Sequence, residues 1–149
     1  FIIYLSLLFS FLTWGYFVPK FSKNVSDAIR LLKFGAPINL VVLAFIIYLG
    51  PKAGALHWAL FAVSSVFLSL SQPAVGMAFS LSNAGKALTS FNLLLFIGAF
   101  ALQWIIGVII DLTMNLGYSE ISGFRFAMVF FLLTSLFSYL FFLTKNYKN

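Results

Sequence analysis

Cysteine is absent from the chain, and acidic residues number three and histidine one among 149 residues. Without cysteine there is no disulfide, no thiolate metal site and no cysteine nucleophile. With His57 as the sole histidine and so few acids, clustered acid–base chemistry and a metal cage have little to draw on, so neither an enzyme, a bound metal nor a cofactor is expected. Charge of either sign is scarce at 8% of residues, against about 25% in soluble domains, and the mean hydropathy is +1.07. So few charges cannot cover the surface of a water-soluble fold. The net charge of +6 does not make a nucleic-acid surface, because the basic residues cluster at the ends of apolar runs and form no stripe with interleaved aromatics. The expected surroundings are a lipid bilayer, with no nucleic-acid partner. The chain opens on Phe1 without an initiator methionine, a basic n-region or a small-residue cleavage site, and this reads as the interior of a longer protein rather than a signal peptide.

What is present is a set of apolar runs. Five membrane spans are expected, over residues 1–18, 34–50, 56–80, 90–111 and 124–144, each near or above the length of about 17 residues that crosses a hydrocarbon core. The fold class expected is therefore all-α integral membrane. Loops are expected at 19–33, 51–55, 81–89 and 112–123, with a tail at 145–149. Within the first loop Ser26 reads as an N-cap for a helix beginning at Asp27.

Polarity is unevenly distributed among the spans. In the first, Ser6, Ser10 and Thr13 share a face at helical spacing, and either bond back to their own helix or line a polar path. In the third, Ser69, Gln72 and Gly76 each fall within about 40° of Ser65, and Pro73 should bend the helix. In the fourth, Asn92, Phe96, Ala99, Gln103 and Gly107 form a similar stripe, while Gly98 lies on another side where it would permit close packing. The second span beyond Asn39 and the Phe-rich fifth span, interrupted by Thr134, Ser135 and Ser138, read as plain lipid-facing helices.

Alternating the direction of successive spans puts Lys20, Lys23, Arg30, Lys33, Lys86, Lys145 and Lys148 on one side, and only Lys52 and Arg125 with Asp111 and Glu120 on the other. By the positive-inside rule the loops at 19–33 and 81–89 and the tail are then cytoplasmic, and those at 51–55 and 112–123 external. Asp111 reads as an interface residue rather than a proton relay, because a relay acid belongs deeper.

The stretch NAGKA followed by FNLLLFIGAFALQWIIGVIID resembles the loop and helix between the tenth and eleventh transmembrane segments of the major facilitator superfamily. Gly85 and Lys86 correspond to the glycine and basic residue of that loop, and Gly98, Gly107 and Asp111 to the glycines and terminal acid of the helix. The resemblance implies that the five spans are the eighth to twelfth of twelve, forming most of the C-terminal six-helix bundle and packing against an N-terminal half outside this sequence. VPKFSKNVSDAIR lacks the G-x-x-x-D-R-type signature of the family's loop between the eighth and ninth helices. The resemblance also implies a bacterial inner (plasma) membrane location and proton coupling, with the coupling acid outside this chain because no carboxylate lies mid-span.

On this reading the chain belongs to a secondary active transporter that moves a small solute by alternating access. Ser65, Ser69, Gln72, Asn92 and Gln103 would border the path and offer neutral hydrogen bonds. The alternative is a non-transporting scaffold or complex subunit whose polar stripes only pack helices. A membrane enzyme acting on lipids would have only His57, Asp111, Glu120 and Arg125 to work with.

Overall fold

The computed structural model describes residues 1–21 and 24–144, all of them helical or in short connections. The described elements are α1 (Ile2–Phe21), α2 (Val25–Leu49), α3 (Ala55–Ser65), α4 (Ser71–Ala78), α5 (Leu81–Asn115) and α6 (Glu120–Thr144), with 3-10 turns at Gly50–Lys52 and Val66–Leu70. Since α3, the second 3-10 turn and α4 run on without a gap, the chain makes five rods. Four of them, Val25–Lys52, Ala55–Ala78, Leu81–Asn115 and Glu120–Thr144, are long and apolar enough to cross a membrane, and Ile2–Val18 is a shorter apolar helix. These lengths mark the chain as an integral membrane protein.

Several boundaries differ from the sequence expectation. Most of the stretch 19–33 expected as a loop is helix: α1 runs to Phe21 and α2 begins at Val25. Its N-cap is Asn24 rather than Ser26, because the Asn24 side chain accepts from the Asp27 N–H at 2.9 Å. The stretch 81–89 is not a loop either. Asn83, Ala84, Gly85 and Lys86 lie in the first two turns of α5, where the Asn83 and Ala84 N–H groups already reach Ser80 O at 2.8 Å. An isolated glycine costs a helix only about 1 kcal/mol, so Gly85 among Ala84, Lys86 and Ala87 does not stop it. The 35 residues of α5 extend about 52 Å at 1.5 Å per residue, well beyond a hydrocarbon core of about 30 Å. The excess includes the polar start, Ser82, Asn83, Lys86, Thr89 and Ser90. Lys23 and the tail 145–149, including Lys145 and Lys148, lie outside the described residues.

The α5–α6 turn is shorter than the expected 112–123 loop. Gly117 takes φ 87°, which only glycine adopts cheaply, while the Gly117 N–H bonds Met114 O and the Tyr118 N–H bonds Thr113 O. These two bonds form a Schellman closure. Just beyond it, α6 lies close against α5, since a methyl at Gly123 would sit 2.7 Å from Thr113 Oγ1 and 3.4 Å from Ile110 Cα.

The centre of the bundle is α2, contrary to its reading as a plain lipid-facing span. Its buried residues, Ala28, Ile29, Leu32, Gly35, Asn39, Leu43 and Ile46, recur at steps of mostly three and four and make one continuous stripe. A methyl at Gly35 would overlap the Phe67 ring, so the absence of a side chain there seats Phe67. That ring in turn meets Trp14 of α1 edge-on, with centroids 4.7 Å apart. Small residues allow such close backbone approach in membranes, where shape rather than water exclusion drives association. Gly98 and Gly107 do not act in this way, because a Cβ at either would meet nothing within 4 Å among the described residues.

A candidate functional site inside the bundle

Two prolines open the backbone of this bundle. Pro37 lies inside α2 and has no N–H to give the carbonyl one turn earlier, Lys33 O. That oxygen instead accepts the Tyr139 hydroxyl of α6 at 2.9 Å, a link between residues far apart in the chain. Pro73 likewise cannot bond Ser69 O. The rod tightens to a 3-10 turn over Val66–Leu70, and the Ser71 N–H reaches Leu68 O and Ser69 O.

Between these two irregularities α2 and α3 are joined by an amide. Asn39 is 6% exposed, and its Nδ2 donates to Ser64 Oγ at 2.9 Å and to Phe61 O at 3.3 Å. The orientation of the amide follows from its partner, since a main-chain carbonyl can only accept and the nitrogen must face it. Ser64 Oγ completes the triangle by donating to Phe61 O at 2.9 Å.

Next to this junction α2, α3, α5 and α6, with Ser71 at the start of α4, border an open-sided cavity of about 670 Å³. Leu32, Leu40, Phe61, Phe91 and Phe131 supply apolar wall, and Asn39, Ser65, Ser71, Thr134, Ser135, Ser138 and Tyr139 contribute polar groups. No charged side chain is among its lining residues. Thr134, Ser135 and Ser138 share a face of α6 with Phe131, Tyr139 and Phe142, so the fifth span is not a plain lipid-facing helix. The sequence carries that signal as the small hydroxyl residues that interrupt the middle of the Phe-rich run. Asn39 is the sole amide of its span, and its importance is legible only once Ser64 and Phe61 are brought beside it.

Of the residues expected to border a path, Ser65 lines this cavity and donates to Ala62 O at 2.7 Å. Ser69 is half-buried, outside the cavity lining, and donates to Val66 O at 2.7 Å. Gln72 and Gln103 are exposed and Asn92 is half-buried. Gly76 packs against Leu88, whose Cδ1 would lie 3.5 Å from a Cβ there. This contact sets the antiparallel register of α4 and α5, and brings Gln72 and Asn92, one turn further along each helix, to the same level. Gln103 lies on the same face of α5 as Asn92, three turns on. Ser6, Ser10 and Thr13 bond back to Ile2 O, Ser6 O and Phe9 O. His57 Nδ1 accepts the Gly54 N–H at 3.1 Å and so caps α3.

The chain thus has two places where polar groups gather, a half-open and mostly apolar cavity edged by hydroxyl groups and an outer face on α4 and α5 carrying amides. Comparison with protein-family models, with curated proteins and with solved structures finds no match to this chain.

Proposed function

We propose that the chain is the C-terminal portion of a major-facilitator-type secondary transporter, and that it helps to move a small solute across the membrane by alternating access. The observation that supports this most is the outer face of α4 and α5. Gln72 and Gln103 are exposed, and neither side chain makes a hydrogen bond among the described residues. An amide without a partner in hydrocarbon costs several kcal/mol (roughly 2–7), so a bilayer protein keeps such a face on water or on polar protein. The break before Pro73 supports the same reading, because interrupted helices in transporters border cavities rather than lipid. On this proposal Gln72, Asn92 and Gln103 border the path, Lys86 lies on the cytoplasmic side, and the coupling acid belongs to the other half of the transporter.

The test is to replace Gln72 and Gln103 singly by leucine in the full-length protein, with surface expression matched, and to measure uptake. A drop in kcat/KM of about tenfold or more is expected for each, as for a lost hydrogen bond to a solute. Uptake kinetics that do not change in either variant remove both residues from the path. Cysteine labelling at 72 and 103 separates transport from a scaffold role, since in a scaffold no solute protects either position.

A further inference from the structure

The cavity among α2, α3, α5 and α6 is lined by Ser65 and by Ser71, Phe91 and Leu102, the chain neighbours of Gln72, Asn92 and Gln103, but not by those three residues themselves. We infer that it is a binding site for a neutral, largely apolar molecule that carries at least one hydrogen-bond donor, such as an alkylphenol or a long-chain alcohol.

The inference follows from what the lining has already spent. Both hydrogens of Asn39 Nδ2 are given to Ser64 Oγ and Phe61 O, while its Oδ1 accepts nothing from the described residues. Hydroxyl hydrogens are committed to main-chain oxygens: Ser65 to Ala62 O, Ser71 to Leu68 O, Thr134 to Phe130 O and Phe131 O, and Tyr139 to Lys33 O. Each of these oxygens keeps lone pairs and has no hydrogen left to offer. Only Ser135 and Ser138 make no hydrogen bond among the described residues, and a free hydroxyl can donate or accept. The few polar groups on this mostly apolar wall are therefore mainly acceptors, with Ser135 and Ser138 able to serve either way, and a guest that donates meets them.

Charge and size narrow the class further. With no charged side chain in the lining, a carboxylate or phosphate would be buried unpaired, which is strongly unfavourable. The volume of about 670 Å³ falls in the range of about 300–1,000 Å³ typical of small-molecule sites, which likewise combine apolar walls with a few placed polar groups. An acyl chain from the surrounding lipid fills the apolar part but leaves the acceptors unanswered.

The experiment uses the intact protein in lipid nanodiscs and a 4-octylphenol that carries a diazirine on its alkyl chain. After irradiation, labelled peptides are mapped by mass spectrometry in competition with 4-octylphenol, 4-octylanisole and 4-octylbenzoate, each adjusted to the same membrane concentration. Label is expected in the segments 32–40 and 131–142. The phenol should compete about tenfold better than the anisole, which has lost the donor, and at least as much better than the anionic benzoate. Ser135→Phe and Ala36→Leu, which fill the cavity from opposite walls, should each cut labelling about tenfold in variants whose thermal unfolding is unchanged. Equal competition by phenol and anisole overturns the inference and leaves an adventitious apolar void. Label spread over the outward faces of α1 and α5, or labelling that persists in a folded filling variant, does the same. Because neither labelling nor competition measures uptake, the outcome is independent of the transport proposal.

Discussion

Helices α2 and α5 are both apolar over the length of a membrane crossing, yet they occupy opposite situations. Seven residues of α2 are buried and none of α5. The difference lies in side-chain shape. Along its buried stripe α2 mixes small residues and an amide, Ala28, Gly35 and Asn39, with Leu32, Leu43 and Ile46. Neighbouring helices can therefore approach it closely and find a hydrogen bond. In α5 Leu93, Leu94, Leu95, Phe96, Ile97 and Phe100 all stand exposed, and a Cβ at its small residues Gly98 and Gly107 would meet no neighbour within 4 Å. In a bilayer hydropathy does not separate these two fates, because lipid is as apolar as leucine.

The comparison can be broken most sharply at a leucine in each helix. Leu43 is 1% exposed and Leu94 68%. Leu43→Ala leaves a cavity, and without much of the water-transfer term its cost should be near the low end for such changes, about 2 kcal/mol. Leu94→Ala should cost less than about 0.5 kcal/mol. Unfolding in mixed micelles measures both, and equal losses would mean that α2 is not central.

Glycines sharpen the same contrast. Gly35→Ala drives a methyl into the Phe67 ring and should cost about 1–3 kcal/mol. At Gly98 a Cβ meets nothing within 4 Å, and Gly98→Ala should stabilise by about 0.5–1 kcal/mol through helix propensity. Thermal denaturation of the two variants should therefore shift in opposite directions.

The smallest effect probes how α2 holds α6. Tyr139→Phe removes the donor to Lys33 O and should cost about 1 kcal/mol. Pro37→Ala restores a main-chain N–H to that carbonyl, and in this background Tyr139→Phe should cost about half as much or less. Additive losses in the double-mutant cycle would show that the two groups act separately.

Much of the helical layout was legible in the residues. The apolar runs, the turn around Gly50 and the disturbance at Pro73 all follow from local rules of length and backbone bonding. The expected loop at 81–89 is helix instead, because Ala84, Lys86 and Ala87 favour a helix by more than Asn83 and Gly85 oppose it. The cavity was half visible: Thr134, Ser135 and Ser138 stand out in the last span, but nothing local pairs them with Asn39. Gly35 and Gly123 escaped notice because a glycine's packing role depends on which side chain arrives opposite it.

The sequence by itself determined that this chain belongs in a bilayer and crosses it as helices, because hydrocarbon leaves a backbone no partner but itself. Tertiary structure alone decided which helix is central and which lies outermost. It also decided that the carbonyl orphaned by Pro37 finds its donor on Tyr139, in the last helix. Apolar side chains gain little in lipid by leaving their surroundings, so fit between particular surfaces, settled only when the helices meet, selects the neighbours.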